Sequence, residues 1–214
     1  MKCPILHALI ALPLFLGACA SPPIHYHTLR PALENSAADQ LQPPSAFLID
    51  VLAAGIPAYL DQPQLVVRQG QAEVVLLESE RWASPLSEEL RDALSTQLSS
   101  RLGTRDIAGL ARPARKPVLR IKIEIRRFDA WPGDKVQLDA DWALGFAGEA
   151  ADARLVCGDQ FEVSTPGGYP ELVAGQRRLI AALTERIAAD ARRWERSRAQ
   201  DCPKSGPVAV STNM

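Results

Sequence analysis

Between 118 and 146 the chain alternates apolar and polar positions over its longest stretch. Leu119, Ile121, Ile123 and Ile125 are interleaved with Arg120, Lys122, Glu124 and Arg126, as a strand with one buried and one wet face requires. A turn containing Pro132-Gly133 follows. Then Val136, Leu138, Ala140, Trp142, Leu144 and Phe146 face one way, and Gln137, Asp139 and Asp141 the other. The pattern predicts a long antiparallel hairpin with one solvated face. A weaker third strand is expected over 153–163, ended by Gly167-Gly168. Upstream, the apolar run 47–52 is broken only by Asp50. The pieces 65–68 and 73–78, separated by Gln69-Gly70-Gln71, read as a second hairpin. Tyr59-Leu60-Asp61-Gln62-Pro63-Gln64 reads as a turn or brief extended piece, because Pro63 pushes Gln62 out of the helical region.

Elsewhere the apolar period lengthens to that of a helix. Ser84-Pro85 opens one, with Ser84 as N-cap and Pro85 at the first helical position. Leu86, Leu90, Leu94, Leu98 and Leu102 form its stripe, Glu88, Glu89, Arg91 and Asp92 lie off it, and Gly103 stops it. A second helix is expected over 170–196, burying Leu172, Val173, Leu179, Ile180, Leu183, Ile187 and Trp194. Strands, helix, strands, helix is the order. It predicts an α+β fold: a mostly antiparallel sheet with both amphipathic helices packed on one face. Trp82, directly before the first helix, is expected to cover the seam between sheet and helix.

The N-terminus follows different rules. Lys2 precedes an apolar stretch over 5–16 of about 12 residues, the proportions of a secretory signal. It is too short for a membrane span of roughly 20 residues, and Pro13 interrupts it. Leu16-Gly17-Ala18-Cys19 resembles the lipobox of bacterial lipoproteins, in which the cysteine receives the lipid. The expected organisation is a lipoprotein signal peptide at 1–18, then a lipidated tether with an early strand near His25 at 19–45. A globular domain at 46–196 and a flexible tail at 197–214 complete it. Several acyl chains on Cys19 would anchor the body durably without any hydrophobic surface of its own. Ala20 stands where Asp would signal inner-membrane retention. By resemblance this favours the outer membrane, facing the periplasm.

Composition narrows the function classes. Of 214 residues 47% are apolar and 23% charged, which describes a globular domain. The formal charge of -1 lacks the basic excess that announces a nucleic-acid partner. Four cysteines are present. Cys3 leaves with the signal and Cys19 carries lipid, so Cys157 and Cys202 remain as a candidate disulfide in an oxidising compartment. The alternative is two unrelated thiols. The three histidines are His7, in the signal, and His25 and His27, near the tether. The body therefore holds no Ser-His-Asp or Cys-His set and no usual zinc ligand. His25 and His27 share one strand face, as polar surface positions or as a surface metal pair.

Carboxylates offer the remaining chemistry. Asp139 and Asp141 share a polar strand face, with Asp129 and Asp134 at the adjoining turn. Such pairs serve glycoside hydrolysis or calcium binding, but Arg120, Lys122, Arg126 and Arg127 lie opposite, and cross-strand pairing accounts for the pattern. No catalytic residue, metal site or cofactor is expected. Tyr59 and Trp131, read as loop aromatics, are candidate anchors for a partner.

Several segments together resemble a known family. His27-Thr28-Leu29 follows the lipobox, then come Pro57-Ala58-Tyr59-Leu60-Asp61-Gln62-Pro63-Gln64-Leu65-Val66 and Glu80-Arg81-Trp82-Ala83-Ser84-Pro85-Leu86. Phe128-Asp129-Ala130 and Val136-Gln137-Leu138-Asp139-Ala140-Asp141-Trp142 complete the series. They resemble the auxiliary lipoproteins of ABC-type and MCE transport systems over nearly the whole mature chain. Gln62 departs from the pattern, where the family often has Arg. The resemblance implies a non-enzymatic subunit of an intermembrane lipid transporter, docking a periplasmic MCE-domain protein and its inner-membrane subunits at the outer membrane. It also implies self-association into a homo-oligomeric ring. Tyr59, Asp61, Gln62, Pro63, Arg81 and Trp131 are the candidate partner-binding residues. A periplasmic lipid-binding carrier, whose helices would open to hold an acyl chain, is the alternative.

Overall fold

The computed structural model describes residues 22–30, 45–113, 115–150, 153–198, 201–203 and 208–209. Eight strands and two helices follow in the order β1 (His25–His27), β2 (Leu48–Val51), β3 (Gln64–Gln69), β4 (Glu73–Trp82), α1 (Leu86–Leu102), β5 (Val118–Trp131), β6 (Lys135–Phe146), β7 (Leu155–Ser164), α2 (Tyr169–Ser197) and β8 (Val208–Ala209). The fold is α+β, but the strands divide into two mixed sheets rather than one. β2-β5-β6-β7-β8 form the larger and β1-β4-β3 the smaller. The central ladders are antiparallel, whereas β1, β2 and β8 each join an edge in parallel.

The long hairpin pairs Ile121 with Leu144 and Ile123 with Trp142, and every apolar member of its inner face from Leu119 to Ile125 is buried. A bulge at Ile125/Arg127 shifts the alternation by one residue. Arg126 and Arg127 both stay exposed, while Phe128 and Ala130 turn inward. The strand therefore continues to Trp131, which lies at a strand end rather than in a loop.

Both helices cover the inner face of the large sheet. All five leucines of the α1 stripe and the predicted apolar stripe of α2 are buried. Gly103 adopts the left-handed conformation that closes α1 (φ 58°). Pro85, not Ser84, occupies the N-cap position. The Ser84 hydroxyl instead donates to Glu89 Oε1 at 2.8 Å. The orphan amide of Ser87 is met from outside the helix, by Asp61 Oδ1 at 3.2 Å. Inside the segment expected as a flexible tail, β8 adds a two-residue edge to β7. Trp82 is buried, as its place at the seam requires.

Candidate functional site

The six candidate partner-binding residues fall into two groups. Asp61, Gln62, Pro63 and Arg81 lie where β3 begins and β4 ends. Gln64 is Arg81's partner in register, and the Pro63 carbonyl accepts the amide of Trp82 at 2.8 Å. Asp61 is committed to the α1 amide, so the fold itself uses its carboxylate. Arg81 reaches back to Glu78, donating to its carbonyl at 3.0 Å and its carboxylate at 3.1 Å. Pro63 and Asp61 are exposed and Gln62 half-buried.

Tyr59 and Trp131 form the second group, around a charge pair that joins the two sheets. Arg68 of β3 meets Asp129 of β5 at 2.9 Å, and the Tyr59 hydroxyl lies 3.4 Å from the same carboxylate. Asp129 is buried on β5 rather than set in a turn, and Arg127 lies between it, at 3.8 Å, and Asp139, at 3.5 Å. Partial burial, with the Asp129 charge beside it, pushes the Tyr59 phenol above its ordinary value. The hydrogen bond to Asp129 raises Arg68 likewise. Tyr59 keeps an exposed ring edge (41% exposed). The Trp131 indole N–H donates to the Gly70 carbonyl at 3.3 Å, and Lys135 sits 5.7 Å from its ring.

A third cluster fastens the N-terminal segment, and composition gave no sign of it. His25 and His27 do share one face of β1, and Glu80 of β4 lies between them. Its carboxylate oxygens take the two imidazoles at 2.8 and 2.5 Å. Burial alone would raise the Glu80 carboxyl, but the hydrogen bonds from His27 and His25 hold it below the usual range. Glu89, placed off the α1 stripe by the repeat, is buried instead. It accepts from the Thr28 hydroxyl at 2.7 Å and the Leu29 amide at 2.8 Å. Arg30 pairs with Asp92, and Arg177 donates to the Arg30 carbonyl at 2.7 Å. Residues 25–30 are thus stitched to β4, α1 and α2. Cys19 and its lipobox lie outside the described residues.

The outer face of the large sheet carries paired charges. Arg126 meets Asp141 at 2.8 Å and Arg127 meets Asp139 at 3.5 Å, while Asp134 is exposed at the β5–β6 turn. Asp129 and Asp139 share Arg127, whereas Asp141 pairs with Arg126 and Asp134 has its own place at the turn, so the four aspartates do not gather at one point. Among the described residues, two open clefts with mixed walls lie on this face. One of about 500 Å³ runs by Arg126, Asp139, Asp141 and Gln160. The other, of about 180 Å³, runs by Arg120, Lys122, Phe146 and Arg154. Among the described residues no three His, Cys, Asp or Glu side chains are arranged to hold a metal ion.

Cys157 of β7 and Cys202 are joined by a disulfide with their Cα atoms 5.7 Å apart. Arg186 and Arg193 of α2 reinforce that staple, donating to the carbonyls of Pro203 at 2.5 Å and Asp201 at 3.0 Å. Beneath them Asp190, 1% exposed, accepts the Trp142 indole N–H at 3.2 Å. Burial pushes the Asp190 carboxyl up, against the pull of Arg186 and Arg193.

Residues 27–188 match the model of a family described as the ABC-type transport auxiliary lipoprotein component. The chain is 24% identical over 161 residues to the intermembrane transport lipoprotein PqiC of Escherichia coli K12, covering 75% of this chain and 83% of that one. It matches the protein of that name from Shigella flexneri to the same degree. Two crystal structures share the fold. A protein described only as uncharacterized superposes with a TM-score of 0.62 at 22% identity, over 79% of this chain and 99% of the other. A Xanthomonas campestris protein gives 0.58 at 15% identity, over 81% and 99%.

Proposed function

Because this chain belongs to the family of ABC-type transport auxiliary lipoprotein components, we propose that it is the lipid-anchored, non-enzymatic subunit of an intermembrane lipid transport system. In this reading Cys19 carries the anchor at the periplasmic face of the outer membrane, and the body docks a periplasmic MCE-domain assembly there. The observation that carries it is the extent of the family match. Residues 27–188 take in nearly every element from the docked N-terminal strand to most of α2, and they leave Cys19 eight positions ahead as the tether. The architecture supports a positioning role. Its helices spend their apolar stripes on the sheet, and its outer face is occupied by charge pairs.

Purification of the acylated protein from native membranes in mild detergent tests the reading. Co-purification of an MCE-domain protein with its inner-membrane subunits is the expected result. Recovery with bound lipid alone would instead favour a carrier, and recovery alone would remove the docking role. Cys19→Ala should abolish membrane attachment and leave the fold intact. A fold lost with that change would sink the tether.

A further inference from the structure

The lipid anchor leaves the membrane-facing end of the domain to be decided by the chain that follows it. From His25 onward that chain is fixed to the body by Glu80, Glu89 and the Ala83 amide, which donates to the His27 carbonyl at 2.8 Å. Six peptide steps separate Cys19 from His25, and a fully extended chain covers about 20 Å in that distance. The body is longer than the leash. α2 has 29 residues and so runs about 43 Å. Its first third lies by the docked segment, through Arg177 on the Arg30 carbonyl. Its end lies by the β6–β7 turn, through Arg198 and Glu149 at 3.1 Å. The two ends of the domain are therefore unequal, and only one is near the anchor.

That end shows two large apolar side chains to solvent among polar neighbours. His25 and His27 both turn onto Glu80, with His25 still largely exposed, so Ile24 and Tyr26 share the opposite side of this segment. Ile24 is 46% and Tyr26 66% exposed, and Tyr26 lies in register beside Arg81. A tyrosine with a neighbouring aliphatic side chain suits the headgroup boundary of a bilayer. Resting on the Cys19 anchor read above, we propose that Ile24 and Tyr26 seat the β1 edge against the lipid surface. The domain then stands with the β6–β7 turn directed away from the membrane. Pro63 and Arg81 lie at the membrane-proximal end, and the cleft beside Phe146 and Arg154 faces the periplasm.

The test uses the full acylated protein in phosphatidylethanolamine–phosphatidylglycerol vesicles carrying headgroup nitroxide lipid. A fluorophore is placed on Arg81→Cys in one sample and on Ala150→Cys, in the β6–β7 turn, in another. With Cys19 acylated and Cys157 bridged to Cys202, the introduced thiol is the one labelled. The protein should float with the vesicles, and quenching at position 81 should exceed that at 150 several-fold. The double variant Ile24→Asp, Tyr26→Asp should still float but lower quenching at 81 to the level at 150. Equal quenching at both sites in floated protein, or no effect of the double variant, overturns the seating while leaving the anchor standing. Protein that does not float overturns the anchor and the seating with it.

Discussion

Replacing Glu89 should undock the N-terminal segment, and two substitutions at this position give different losses. The carboxylate takes three hydrogen bonds, from Thr28, Leu29 and Ser84, at 2.7–2.8 Å. Bonds to a charged group contribute about 1.5–3 kcal/mol each at most, but the two hydroxyls border solvent and can rehydrate. The Leu29 amide is buried and cannot, so Glu89→Ala leaves it with a penalty of about 1–3 kcal/mol. With about 1 kcal/mol for each hydroxyl, less the relief of no longer burying a charge, the loss is about 3 kcal/mol. For a domain of this size that is a fall in Tm of roughly 6–12 °C. Glu89→Gln keeps an acceptor for Leu29 and offers an N–H to the Ser84 hydroxyl, so it should lose only about 1 kcal/mol. Because residues 25–30 can open locally, hydrogen exchange at the Leu29 amide should accelerate before the whole fold does. Thermal melts and amide exchange of the three proteins decide the matter. If Glu89→Ala melts within 2 °C of Glu89→Gln, with the Leu29 amide equally protected, the carboxylate does not hold the segment.

Docking of β1 should also depend on pH. The Glu80 carboxyl is held below its ordinary value of 4.5, so its contribution is complete above that value and fades as pH falls through the lower folded value. Proteolysis of the N-terminal segment at graded pH should show the loss in that window, and Glu80→Gln should remove it. The Cys157–Cys202 bridge closes a span of 45 residues, which chain entropy values at about 4 kcal/mol. Cys202→Ser should therefore lower Tm markedly, and a fall worth less than about 1 kcal/mol would show that the arginine contacts hold the tail without it. Asp141→Asn breaks an exposed pair worth about 0.2–1 kcal/mol, and Asp139→Asn a half-buried one. They should leave stability and partner capture close to wild type, whereas loss of a specific activity would revive a catalytic reading.

The local pattern was legible wherever one residue's environment depends on its own element. The alternations from Leu119 to Ile125 and from Val136 to Leu144, and the four-residue leucine spacing of α1, each correspond to a buried face in the structure. What the pattern could not carry is which strand lies beside which. β1 and β2 join their sheets in parallel across long separations, and neither is long enough to announce a partner. The same holds for charge. Glu89 falls off the leucine stripe by its position in the helix, yet it is buried because a distant segment, 28–29, supplies three-dimensional neighbours that the repeat does not encode. Asp129 belongs by sequence to a turn rich in acids. The bulge at Ile125/Arg127 extends the strand past it and places it against Arg68 of the other sheet. The residues whose surroundings the local pattern does not encode are thus those that hold the two sheets and the N-terminal segment together. In the arrangement proposed above, an anchor at Cys19 would fix only a point, whereas Glu80 and Glu89 would fix the direction in which the domain leaves it. A variant that keeps the lipid but frees β1 should therefore remain at the membrane while losing a defined orientation there.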